Sequence, residues 1–380
     1  MNNIFSYATK ELSQDAFLCW SINWLTQGND KLLYQYGKAM LDMFLGEKKQ
    51  EHYQNVEVRG QYEKIDVLVL FDGTDSKRHA LIIEDKTNTS EHSNQMQRYK
   101  EKIQQKNLAN EIHLAYIKTG IMYDEDARMV GKGAVVVDLD VLLAVVAQYA
   151  EQNTSEILSC FNAHIQSIKD HRVNIEQQID CGEYSTALQD SYGQFYFLNK
   201  VFSGRSTANV LGTQYVTHKS NCLIYIDEIY SGANRNGSPW SQYCLWGKKY
   251  PTNHVDANTN EYHYLFWRID QQASGYYLAL RHYDALAHSK TDEYLNARKK
   301  YVYKKFRARA DVECEKHEKL FSKIGNRENY KESDLLFIPV ENLRGMKFDE
   351  IKTLLVGITH TFSEGWEELY DGMAEALKNK

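Results

Sequence analysis

The chain has 380 residues, 43% hydrophobic and 25% charged, with 45 Lys and Arg against 51 Asp and Glu for a formal net charge of −6. Such a length has room for two or three domains, and the balance is that of a globular protein. The negative charge excludes a basic nucleic-acid coat, so any such contact must use a local patch. The first fifteen residues, MNNIFSYATKELSQD, lack the apolar stretch of a signal peptide. The most apolar window, GAVVVDLDVLLAVV, is broken by Asp138 and Asp140 and is too short for a bilayer. Six cysteines lie scattered with no C-x-x-C pair, against a zinc ribbon or a disulfide framework. The expected setting is a reducing cytoplasm, with no membrane partner.

In chain order, the apolar positions Phe17, Leu18, Ile22, Trp24 and Leu25 predict an amphipathic helix over Lys10 to Gln27, capped by Ser13 or begun a turn earlier. A second helix is expected over Lys31 to Leu45. The period then changes. QNVEVRGQ alternates, KIDVLVLF and HALIIEDK are compact apolar runs, and DGTDSK between them supplies turn chemistry. A helix from about Ser90 to Lys106 follows, then strands at EIHLAYIK and GAVVVD and helices to about Asp170. The order α-α-β-β-β-α-β-β predicts a mixed sheet flanked by helices. From about Tyr184 to Tyr283 the chain is rich in tyrosine and in alternating segments. CLIYIDEIY, SQYCLWGKK, YHYLFWRID and GYYLALRHY each read as a strand, with QQASG closing a hairpin. A charged helix over Asp292 to Ile324, a strand at DLLFIPV and a helix from about Phe348 complete the chain. The expected division is 1–175 and 176–380, the second part an α+β domain that recognises substrate or mediates self-association.

Chemistry concentrates in LIIEDK, where a core strand runs straight into Glu84, Asp85 and Lys86. Buried charges are costly unless paired, solvated or metal-bound. Alternation along a strand sends Glu84 and Lys86 to one face and Asp85 to the other. The DGTDSK turn folds the preceding strand back alongside, which brings Asp66 next to Glu84. Two converging carboxylates form a hard-oxygen site suited to Mg²⁺ or Mn²⁺. A lysine beside them orients a metal-bound water or stabilises negative charge, an arrangement suited to attack on a phosphodiester.

Asp66 followed by Glu84-Asp85-Lys86 resembles the PD-(D/E)XK nuclease superfamily, whose motif is an aspartate on one strand and E-x-K on the next. The family's usual proline before the aspartate is replaced by Ile65. The next helix carries QMQRY, with Gln95 and Tyr99 on one face, similar to the Q-x-x-x-Y motif of the RecB-like branch. The resemblance covers about residues 8–120 and looks closest to members found among bacterial genome-defence genes. It implies a restriction-endonuclease-like fold and a metal-dependent DNase. Asp66, Glu84 and the backbone carbonyl of Asp85 would hold the ion. Glu11 on the first helix would complete its shell, with Asp15 one turn later as the alternative. Lys86 would position water, and Gln95 and Tyr99 would support the site or contact the strand being cut.

A second candidate is ARKKYVYKKFRAR. Here Arg298, Lys299, Lys304, Lys305 and Arg307 are interleaved with Tyr301, Tyr303 and Phe306, cations for phosphates and rings for base stacking. The bland alternative is a solvated helix face paired with the acidic DVECEKHE that follows. The rival to the whole enzymatic reading is a catalytically inactive nuclease-fold module that binds nucleic acid or a protein partner.

Overall fold

A computed structural model describes residues 3–7, 11–87, 94–152, 155–202, 215–217, 223–225, 229–249, 262–284, 293–321 and 332–363. The chain divides into two compact units, Met1–His171 and Arg172–Lys380. The first contains α1 (Glu11–Asn23), α2 (Lys31–Leu45), β1 (Gln54–Tyr62), β2 (Ile65–Asp72), β3 (Arg78–Lys86), α3 (Gln95–Gln105), β4 (Glu111–Lys118), the single turn α4 (Asp124–Ala127), β5 (Ala134–Asp138), α5 (Leu139–Ala150) and the start of α6 (Glu156–Asp180). Its sheet has the order β1-β2-β3-β4-β5, antiparallel through β3 and parallel from β3 to β5.

Local chemistry explains these boundaries. Asp30 caps α2 by accepting from the N–H groups of Leu32 and Leu33, both at 2.9 Å. Asp138, which interrupts the most apolar stretch, ends β5 and caps α5 through Val141 N–H at 2.9 Å. Between β2 and β3 the chain reverses tightly. Gly73 donates to the Lys77 carbonyl at 3.1 Å, and Ser76 takes a left-handed φ of 57°.

β2 and β3 are apolar on both faces because both faces are covered. Val67, Val69, Phe71, Leu81, Ile83, Ala115 and Ile117 pack with Phe17, Tyr36, Phe44 and Phe161 from α1, α2 and α6. On the other face Leu68, Leu70, Ile82, Leu114 and Tyr116 pack with Met96, Tyr99 and Ile103 of α3. The mixed sheet flanked by helices is thus the restriction-endonuclease-like α/β architecture expected from the sequence.

The second unit holds the end of α6, α7 (Tyr184–Ala187), α8 (Ser191–Phe202), β6 (Tyr215–Thr217), β7 (Leu223–Tyr225), β8 (Ile229–Ala233), β9 (Pro239–Lys249), β10 (Tyr262–Gln272), β11 (Gly275–Asp284), α9 (Glu293–Lys316), β12 (Glu332–Pro339) and α10 (Phe348–Ser363). An antiparallel sheet runs β12-β11-β10-β9-β8, and β6 pairs with β7 alone. Helices cover one face: the Trp267 indole donates to Thr359 of α10 at 2.9 Å, and Tyr243 stacks on Phe202 of α8.

Three expectations are corrected here. CLIYIDEIY is not one strand; its ends belong to β7 and β8, in different sheets. The stretch after Tyr184 begins with helix, because Gly193, Phe197 and Val201 with Gln194, Leu198 and Phe202 recur at four-residue spacing and are buried together. The charged helix α9 also stops at Lys316 rather than Ile324, and the expected helix start at Ser90 lies outside the described residues.

Candidate active site

The β2–β3 ladder pairs Val67 with Ile83, so the next step along it sets Asp66 beside Glu84 on the face covered by α3. Lys86, two residues on, turns back over both. Its Nζ lies 2.5 Å from Glu84 Oε1 and 3.6 Å from Asp66 Oδ2, and donates to the Asp85 carbonyl at 3.0 Å. Asp66 Oδ2 also accepts from the Asp85 N–H at 3.0 Å. Side-chain exposure grades from 1% at Glu84 through 9% at Lys86 to 18% at Asp66, so the cluster opens to solvent at Asp66.

Asp85 points the other way, as strand alternation requires, and is fully buried against α1. Gln14 donates to its Oδ1 at 2.6 Å and accepts from Thr119 at 3.0 Å. Asp15 packs beside it, and Gln61 reaches both Asp15, at 2.8 Å, and Asp66, at 3.4 Å. Burial above all, then the charge of Asp66, pushes Asp15 up to about 6; burial and Asp15 hold Asp85 well above the usual carboxylate range. Glu11 accepts from the Thr87 N–H at 3.1 Å, at the end of β3.

Burial alone would lower the pKa of Lys86, but Glu84 and Asp66 outweigh it and the net shift is upward. The side chain is therefore an ammonium at neutral pH, a donor and a positive charge rather than a base. From α3, Gln95 donates to the Tyr99 hydroxyl at 3.2 Å. Burial and then the charge of Glu84 raise the pKa of that phenol, which places Tyr99 within the electrostatic field of the cluster.

The structure thus gathers Asp66, Glu84, Lys86 and Tyr99 on one face of the sheet, with Glu11 and Asp15 arriving from α1. Gln14 and Gln61, which orient the carboxylates, carry no signal in the sequence. Nor do Lys118 and Asp126. Lys118 pairs with Lys86 across the β3–β4 ladder and is fully buried. Its Nζ donates to Asp126 Oδ2 at 2.5 Å, while Tyr116 holds Asp126 Oδ1 at 2.6 Å.

The donor set fits a hard divalent cation: two carboxylates and a carbonyl converge where positive charge already sits. Among the described residues, no three Asp, Glu, His or Cys side chains are arranged to hold a metal by themselves. The set suits an ion that keeps several waters, as Mg²⁺ does, rather than an all-protein cage.

A family model described as the PD-(D/E)XK nuclease superfamily matches residues 2–179. Residues 2–179 belong to the PD-(D/E)XK nuclease superfamily. No curated protein and no solved structure matches the chain. Asp66 and the Glu84-Asp85-Lys86 run lie within the matched residues, on adjacent strands, with Asp66, Glu84 and Lys86 on one face and Asp85 on the other.

The second candidate stretch is less coherent. Lys304 and Lys305 are exposed, but Arg307 pairs with Asp311 at 3.1 Å. Phe306 is buried against Phe362, so it offers no ring for base stacking. The side chains of Arg298, Lys299, Tyr301 and Tyr303 lie outside the described residues. An open groove of about 1200 Å³ also lies in the second unit, lined in part by Glu313, Lys316, Leu320, Leu354 and Ile358. Its size does not make it the site, since the motif residues are all in the first unit.

Proposed function

We propose that the N-terminal unit is a divalent-metal-dependent nuclease that hydrolyses phosphodiester bonds in DNA, in the cytoplasm and in the service of genome defence. One observation carries this reading: the ammonium of Lys86 lies within ion-pair reach of both Asp66 and Glu84, at a cluster open to solvent beside Asp66. Asp66, Glu84 and the Asp85 carbonyl would hold Mg²⁺ or Mn²⁺. A bound divalent ion acidifies its water and offsets charge building on the phosphoryl oxygens.

The protein's own groups do the rest. Lys86, kept charged by its carboxylate neighbours, orients the attacking water and stabilises the developing negative charge. Glu11 fixes the end of β3 through the Thr87 N–H, which holds Glu84 and Lys86 in register. Gln95 and Tyr99, the pair that suggests kinship with the RecB-like branch, hold the α3 wall against the cluster. The exposed Lys304 and Lys305 supply phosphate-binding charge in the C-terminal unit, whose part is substrate recognition or self-association.

The test is incubation of the purified protein with linear, circular, single- and double-stranded DNA and with RNA, in Mg²⁺, Mn²⁺ or EDTA. Cleavage is expected on DNA and only with metal. Asp66→Ala and Lys86→Ala should each lower it by about 100-fold or more, with the circular dichroism spectrum unchanged. Cleavage that survives both substitutions refutes the assignment. Binding without cleavage in the unaltered protein points instead to an inactive scaffold.

A further inference from the structure

We propose that Lys86 is a built-in counter-ion which occupies the metal-binding oxygens until a divalent cation displaces it, so that this lysine sets the protein's metal affinity. The inference rests on the nuclease reading above and extends it to how the site is filled.

Three oxygens meet the Lys86 ammonium: Glu84 Oε1 at 2.5 Å, the Asp85 carbonyl at 3.0 Å and Asp66 Oδ2 at 3.6 Å. These are the oxygens that would bind metal. The coincidence has a physical cause. Glu84 is almost fully buried, and an ionised carboxylate there is costly unless a positive group compensates it. Lys86 does so in the metal-free protein and in addition satisfies a strand-end carbonyl.

A divalent ion drawn to the same oxygens would stand within a few ångströms of the ammonium, and two such charges repel strongly where water is largely excluded. Both cannot hold the three oxygens. The lysine has a flexible four-carbon stem and a compact head, so the side chain can leave while the backbone of β3 stays in place. In leaving, it gives up the Asp85 carbonyl and Glu84 and moves to the solvent-exposed side of the cluster, where water and phosphate arrive. Metal entry and delivery of the ammonium to the reacting groups are then one event.

The test needs no nucleic acid. Mg²⁺ is titrated calorimetrically into the full chain and into Lys86→Met and Lys86→Arg, with Asp66→Ala as the control that removes a ligand. Lys86→Met is expected to bind Mg²⁺ about tenfold more tightly or better, and Lys86→Arg to stay near the wild type. Without metal Lys86→Met should melt below the wild type, and its melting temperature should rise more on adding Mg²⁺.

A second readout uses the unaltered protein, in case Lys86→Met fails to fold. Lys86 is only 9% exposed, so acylation by an N-hydroxysuccinimide ester, read by peptide mass spectrometry, should be slow without metal and rise several-fold with Mg²⁺. Equal or weaker binding by Lys86→Met overturns the counter-ion inference, as does labelling indifferent to Mg²⁺. Either result leaves the nuclease reading standing, provided Asp66→Ala abolishes the binding. If the wild type and Lys86→Met both fail to bind Mg²⁺ and Mn²⁺, the metal-dependent reading falls and this inference with it.

Discussion

Asp15 and Asp85 carry acidic side chains that meet inside the protein. Asp15 Oδ1 and Asp85 Oδ2 are buried and meet no N–H or O–H donor, while the two carboxyls lie within hydrogen-bonding reach of each other. One proton between them satisfies both oxygens, while burial first, and then the charge of neighbouring carboxylates, keeps both pKa values raised. At Asp15 the folded protein therefore binds more protons than the unfolded chain between the ordinary value of 3.8 and about 6, and Asp85 acts in the same direction. Stability contributed by the raised Asp15 is complete below the lower value and is lost as pH rises through the upper one. Both shifts have the same sign, so the pair makes the fold less stable at pH 8 than at pH 4. Asp15→Asn keeps an acceptor for Gln61 and offers Asp85 an amide donor. It should raise the melting temperature by several degrees at pH 8 and leave it unchanged near pH 4, as read by calorimetry. A lower melting temperature at pH 8 would contradict the shared proton. Lys118 poses the opposite case, a fully buried cation paired with Asp126. Lys118→Met strands a buried carboxylate and should cost about 3–5 kcal/mol in chemical denaturation.

Among elements, legibility depends on burial pattern. β2 and β3 are legible because strands covered on both faces become uninterrupted apolar runs. The placement of Asp66 beside Glu84 follows from those runs and from the turn between them. Helix α8 is hard to recognise as helix, although its buried positions recur every four residues, because its aromatic composition suits a strand equally well. What locks α8 in place is close backbone packing at its first turn. A Cβ built on Gly193 would stand 2.0 Å from the Ala187 carbonyl oxygen, a backbone atom that no rotamer change can move. Gly193→Ala should therefore cost about 1–3 kcal/mol in urea denaturation. Gly28→Ala, at a position with nothing within 4 Å, should be neutral. Segment CLIYIDEIY misleads for a related reason: continuous alternation does not reveal that the chain leaves one sheet and enters another.

Across the whole molecule, the described apolar clusters divide by unit. Leu81 belongs to the cluster beneath α1 and α2, Leu278 to the cluster of the second sheet, and the clusters share no residue. Leu81→Ala and Leu278→Ala should each cost about 2–5 kcal/mol, and their effects should add in the double mutant; a coupling well above about 0.5 kcal/mol would show that the two cores communicate. No helix among the described residues is long and apolar enough to cross a membrane. The sequence by itself determined the order of elements in the first unit, the strand positions of Asp66, Glu84 and Lys86, and the side of the strand to which each turns, because a strand's two-residue period and a tight turn are local properties. Only the tertiary structure decided that Asp85 meets Asp15, far away in the chain, that Gln61 bridges Asp15 and Asp66, and that the Lys86 ammonium settles on the oxygens of the site. The first two contacts join α1 to the strands and the third joins side chains of β2 and β3, and electrostatics between groups brought together by the fold leaves no periodic trace in the order of residues.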